Sequence, residues 1–170
     1  DVHRRIIAQD IIEKAKGKAD LVIIGGDLTE RGVPFSRTEE NLRRLRRIGP
    51  VYFVWGNNDF EANQGALRKL LEDQGVVILE NSAYPVLSAG GERIQLIGIH
   101  EISRDLDRLD LALESVPPED FKILVCHNPK IFQRIRAEDH VSLVLAGHTH
   151  GGQISFFGIG IYPVGRLHRT

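Results

Sequence analysis

Four apolar runs recur along the chain, and their spacing constrains the fold more than any other feature. Residues 21–24, 51–55, 122–126 and 143–146 are almost continuously apolar, Lys122 being the one charge among them. Strands buried on both faces read this way, whereas strands with one wet face alternate. Stretches of helical period lie between them. Residues 4–16 place Ile7, Ile11, Ile12 and Ala15 on one face. Ser36-Arg37-Thr38-Glu39 fits a capping box opening a helix that turns Leu42, Leu45 and Ile48 inward and ends at Gly49-Pro50. Residues 65–74 read as a helix stopped by Gly75, residues 105–114 as one closed by Pro117-Pro118, and 130–136 as a short one. Shorter strands are expected at 76–79, 84–88 and 94–97, with a hairpin over 154–164 turning at 158–160. Alternating strands and helices make the class α/β. The runs at Leu21, Val51 and Lys122 are expected in one mixed sheet under the early helices. The strands near Ile94 and Leu143 are expected in or beside a second sheet.

At 170 residues the chain is expected to be one domain over 1–170 with a sizeable core. A formal net charge of −1 gives no basis for a polyanion-binding surface, so no nucleic-acid partner is indicated. No segment approaches the ~20 apolar residues of a membrane span. The single cysteine, Cys126, excludes an internal disulfide framework and fits a reducing compartment. The chain lacks methionine and starts at a candidate functional residue, Asp1, so a first strand is expected ahead of it. Location is therefore expected to be cytoplasmic or at the membrane periphery.

Polar residues follow the apolar runs in a repeated manner. Asp27 follows 21–24 through Gly25-Gly26, and Asn57 follows 51–55 through Gly56. His127 follows 122–126 directly, and His148 and His150 follow 143–146 through Gly147. Asp1 and His3 stand where a preceding strand would end. In open α/β sheets ligands gather outside the carboxyl ends of strands, so five segments deliver donors to one rim. Taken singly, each cluster also reads as structure: Asp27 as a strand-end turn residue, Asn57-Asn58 as a tight turn. Taken together, oxygen and imidazole donors without thiolate suit Mn, Fe or Zn rather than a closed structural zinc.

Asp1-Val2-His3, Gly26-Asp27 continuing to Arg31-Gly32, Gly56-Asn57-Asn58-Asp59, His127 and Gly147-His148-Thr149-His150 resemble the five motifs of calcineurin-like metallophosphoesterases. The resemblance covers residues 1–153. It implies a four-layer α/β/β/α sandwich of two mixed sheets holding two divalent metal ions. One ion would take Asp1, His3, Asp27 and His150, and the other Asp27, Asn57, His127 and His148, with Asp27 bridging. It further implies hydrolysis of a phosphodiester or pyrophosphate by a hydroxide held between the metals. The substrate would be a phosphoester, with a nucleotide or lipid-linked sugar possible. The alternative is a weakly active or non-catalytic metal-site scaffold for a protein partner.

One departure stands out: the family usually has His where this chain has Asn58. Asn donates a hydrogen bond but gives up no proton near neutral pH. Asn58 is expected to face the open side of the metals and contact a phosphoryl oxygen, with Asp27 and His148 the other catalytic candidates. Glu30 and Arg31 are expected to brace the Asp27 loop, and Asp59 to fix its own loop by hydrogen bonds. His100 is expected to be a non-ligand, His140 and His168 surface residues, and Cys126 a core residue. Phe156-Phe157 is expected to pack. The doubled Arg43-Arg44 and Arg46-Arg47 are expected on a solvated helix face.

Overall fold

The computed structural model describes residues 1–88 and 90–149, together with the backbone of two short strands at 155–156 and 159–160. Its element order is α1 (Gln9–Ala15), β1 (Val22–Ile24), α2 (Phe35–Leu45), β2 (Val51–Phe53), α3 (Gln64–Asp73), β3 (Val77–Ile78), β4 (Ser82–Leu87), β5 (Arg93–Ile99), α4 (Leu109–Leu113), β6 (Phe121–Cys126), β7 (Leu143–Ala146), β8 (Ser155–Phe156) and β9 (Ile159–Gly160). One sheet runs β1-β2-β3, all parallel, and a second runs β4-β5-β6-β7 with only β4 antiparallel. The Lys122 run, expected beside Leu21 and Val51, is instead a central strand of the second sheet. Apolar periodicity reports burial on both faces but not which neighbour a strand takes. The strands at Ile94 and Leu143 do lie in that second sheet. β8 pairs antiparallel with β9, and their register puts Ile159 and Gly160 in a strand rather than in the expected turn.

Strand alternation builds the layers. On and just after β2, Val51, Phe53 and Trp55 face the helices with Leu42, Leu67 and Leu71, while Tyr52 and Val54 face the other sheet. Leu96 and Val125 meet them from β5 and β6. The alternate residues Ile97, Ile99, Leu124 and Cys126 turn outward beneath Ala112, Ile102 and Ile131. The order is therefore helices, sheet, sheet, helices. Buried Leu and Phe side chains at these three interfaces each contribute roughly 1.5–3 kcal/mol. Among the described residues no helix is long and apolar enough to cross a membrane.

Several helix limits differ from the periodic reading. Residues 4–8 stay outside α1 because α2 straps them: Arg37 donates to Arg4 O, Asn41 pairs with Arg5 O and Ile7 N, and Arg44 donates to Ile7 O. Arg44 is thus a structural tie rather than part of a solvated face, whereas Arg43 pairs with Glu39 and Glu40 at the surface. The expected capping box fails because Pro34 is the N-cap and Ser36 already lies inside α2. α4 is shorter than expected, since Asp105 takes a left-handed backbone and the buried Asp107 pairs with Arg134. Residues 130–136 give a 3-10 helix at Pro129–Gln133. α3 starts at the Asn63 cap and ends before Gly75, close to expectation.

Candidate metal centre

The donors sit where the parallel strands end. Register pairs Ile24 with Phe53 and Cys126 with Ala146, so the loops after β1, β2, β6 and β7 leave from one rim. Asp1-Val2-His3 joins them because Val2 N and His3 N both donate to Asp27 O, at 2.7 and 3.1 Å. Two glycines make the close approach possible. A Cβ on Gly26 would lie 2.5 Å from His127 Nδ1, and one on Gly56 2.3 Å from both Asp27 N and Asp27 Oδ1. His3, Asp27 and His148 all adopt left-handed backbone, at φ 54°, 52° and 67°. Such strain in non-glycine residues persists only where the surroundings hold it, and it concentrates at functional sites.

Asp59 does much of that holding. It is fully buried and accepts from Asp27 N, Thr29 N and Gly56 N at 2.8, 2.9 and 2.9 Å. One carboxylate therefore fixes its own loop through Gly56 N, as expected, and also ties it to the Asp27 loop. Burial pushes its pKa up to about 7, with the three N–H donors pulling the other way.

At the centre lies His127 Nε2. Asn57 Oδ1 is 3.1 Å from it, His148 Nδ1 3.2 Å and Asp27 Oδ2 3.3 Å. His148 Nδ1 is also 2.9 Å from Asn57 Oδ1. On the far side of the His127 ring, Nδ1 is 2.8 Å from Gly25 O. A carbonyl only accepts, so the ring proton belongs on Nδ1 and the Nε2 lone pair faces the cluster. A carboxylate oxygen, an amide oxygen and two imidazole nitrogens thus converge on a small volume, a donor set that a divalent cation can share. Asp1, Asp27 and His127 each bring a ligand atom within 4.8 Å of the others. His3 Nε2 approaches Asp27 Oδ2 at 3.7 Å, which leaves that oxygen between His3 and His127. The donor set fits divalent metal ions.

Burial alone would raise the pKa of Asp27. Hydrogen bonds from His127, with a proton on Nε2 in place of a cation, and from Asn58 outweigh it and hold the carboxyl at about 2. Burial likewise works against a charged His127, but Asp27 and Gly25 O together raise its pKa above the usual value.

Six of the seven expected ligands, Asp1, His3, Asp27, Asn57, His127 and His148, are brought together, while His150 lies outside the described residues. Asn58 lies differently from expectation. Its Nδ2 donates to Asp27 Oδ2 at 2.7 Å and its N–H to Oδ1 at 2.8 Å, so it clamps the carboxylate. Glu30 backs a histidine rather than bracing the Asp27 loop: Oε2 is 3.0 Å from His3 Nδ1, and Arg4 pairs with its other oxygen. A carboxylate behind a ligating imidazole orients the ring and strengthens it as a donor. Arg31 and His140 are exposed. Cys126 is fully buried, and burial pushes its pKa up to about 12. His100 packs its ring against Trp55 and Phe60 and accepts from Glu101 N at Nδ1, outside the donor cluster. His168 and the side chains of Phe156-Phe157 lie outside the described residues.

Comparison with known proteins agrees with this geometry. "Uncharacterized protein YpbG" of Bacillus subtilis is 45% identical over 168 residues, covering 98% of this chain and 64% of the relative. "Phosphodiesterase YaeI" of Escherichia coli is 28% identical over 155 residues, covering 88% and 55%. "Transmembrane protein with metallophosphoesterase domain" of Bos taurus is 30% identical over 158 residues, covering 84% and 36%. The chain thus spans between about a third and two-thirds of the length of these relatives. The profile of the calcineurin-like phosphoesterases matches residues 1–152, nearly the whole described region, and the chain belongs to that family.

Proposed function

We propose that this chain uses two divalent cations, Mn, Fe or Zn, to hydrolyse a phosphodiester or pyrophosphate bond. Asp1, His3, Asp27 and His150 would hold one, and Asp27, Asn57, His127 and His148 the other. When bound, the cations polarise phosphoryl oxygens and activate water for attack at phosphorus. The protein's own part is positioning. Gly25 O fixes the His127 tautomer, Asp59 locks the Asp27 and Asn57 loops together, and Glu30 orients His3. Asn58 holds Asp27 and carries an amide donor that transfers no proton near neutral pH. Substrates with good leaving groups, such as aryl diesters or pyrophosphates, are therefore favoured over alkyl monoesters.

The observation that carries this reading is the cluster of possible ligand atoms around His127 Nε2, with Asp27 Oδ2, Asn57 Oδ1 and His148 Nδ1 all within 3.3 Å. The phosphodiesterase name of one relative supports the reaction class. The test is turnover of bis(p-nitrophenyl) phosphate by protein reconstituted with Mn²⁺ or Zn²⁺. His127→Gln is expected to lower kcat/KM by at least ~10²-fold, since losing even an outer partner of a metal ligand costs ~10–100-fold. Metal-loaded protein that turns over neither aryl diesters nor pyrophosphates would overturn the reading in favour of a scaffold.

A further inference from the structure

Beside the donor cluster stands an aromatic wall. Ile99 is in register with Cys126, so His100 leaves β5 level with His127, one strand spacing (about 4.8 Å) away. Its ring lies 5.5 Å from Phe60 and 6.4 Å from Trp55. Phe60 belongs to the 3-10 turn Asp59–Glu61, which Asn58 caps, so this wall continues directly from the Asn57-Asn58 loop. Two arginines lie on it. Arg68 Cζ is 5.7 Å from the Trp55 ring, and Glu80 neutralises its charge while accepting from Trp55 Nε1 at 2.5 Å. Arg104, at the end of the 3-10 turn Ile102–Arg104, stacks its Cζ 4.8 Å from the Phe60 centroid. It is exposed, and among the described residues no carboxylate pairs with it.

The difference between the two arginines is informative. Arg68 is spent on structure. Arg104 keeps its charge and the N–H donors on the edge of its guanidinium, yet the Phe60 face restricts where the plane can lie. A planar fork held in this manner is suited to a phosphate or carboxylate taken bidentately. Its anchor, Phe60, is two residues from Asn58, whose amide is on Asp27.

We propose that Arg104, steadied by Phe60, is a specificity-determining residue that binds a second anionic group of the substrate. The preferred substrate class then carries a further phosphate beyond the phosphorus under attack, as a pyrophosphate-bridged compound does. This inference rests on the phosphoesterase reading above, but its test does not depend on turnover. Binding of methylenediphosphonate and of methylphosphonate is measured by calorimetry at constant free Mn²⁺, on wild type, Arg104→Gln, Arg104→Lys and Phe60→Leu. Wild type is expected to prefer the diphosphonate. Arg104→Gln should lose about tenfold or more of that preference, the scale of one charge-assisted contact. Arg104→Lys should keep part of it, because the charge stays and the fork goes, and Phe60→Leu should weaken it with Arg104 intact. No preference in wild type, an unchanged preference in Arg104→Gln, or equal loss for both ligands would overturn the assignment. If the protein turns over no phosphoester but Arg104→Gln loses the preference, the phosphoesterase reading fails and the anion site stands.

Discussion

Asp59→Ala is the perturbation that most sharply probes how the site is held. The Asp59 carboxylate is fully buried and takes N–H groups from Asp27, Thr29 and Gly56 at 2.8–2.9 Å. Alanine would leave three buried donors without partners. Each unsatisfied group costs roughly 1–3 kcal/mol, so the sum is on the order of 3–6 kcal/mol after partial rescue by water. That is a large share of a typical domain's 5–15 kcal/mol. The loops after β1 and β2 would also lose their common anchor, so metal affinity should fall along with stability. Asp59→Asn keeps an acceptor oxygen but turns an amide donor toward N–H groups, and it should fall between the two. Urea denaturation with and without Mn²⁺ measures the stability, and calorimetry measures the metal affinity. An Asp59→Ala protein within about 1 kcal/mol of wild type, binding Mn²⁺ equally well, would refute the reasoning.

Other outcomes follow from the same geometry. Gly56→Ala should abolish metal binding or folding, because its Cβ would fall 2.3 Å from the backbone and carboxylate of Asp27, and circular dichroism with metal analysis checks which. Asn58→His should raise kcat/KM most for the poorest leaving groups, toward the bottom of the ~10²–10⁴-fold range of acid catalysis, read across phosphoesters of graded leaving-group pKa. An equal change for all of them would restrict position 58 to positioning. Cys126, with its pKa pushed up to about 12 by burial, stays a thiol through neutral and mildly basic pH, and thiolate appears only as pH nears that value. Alkylation at pH 8 should therefore fail on the native protein and succeed in urea.

The sequence revealed the layers better than their order. Burial on both faces at 51–55 and 122–126 is visible in the continuous apolar runs, and β2 and β6 do divide their residues between two interfaces. Which sheet takes the Lys122 strand is a matter of long-range pairing, to which local pattern is blind. The non-helical segment before α1 was hidden for a related reason: Asn41 and Arg44, more than thirty residues on, capture its backbone groups. Convergence at the rim was legible because Gly-Asp, Gly-Asn and Gly-His each follow an apolar run. The contacts made by Asn58 and Glu30 were not. Both depend on side-chain directions set by the left-handed backbone at Asp27 and His3, and no residue type announces that.

The central claim is that Asp27 lies between two cations, and metal stoichiometry tests it most directly. Protein equilibrated with Mn²⁺, freed of excess metal and measured by plasma mass spectrometry against protein concentration should hold two ions per chain. Asp27→Asn, with circular dichroism matching wild type, should hold fewer than one. Two ions retained in Asp27→Asn, or at most one in wild type, would contradict the account.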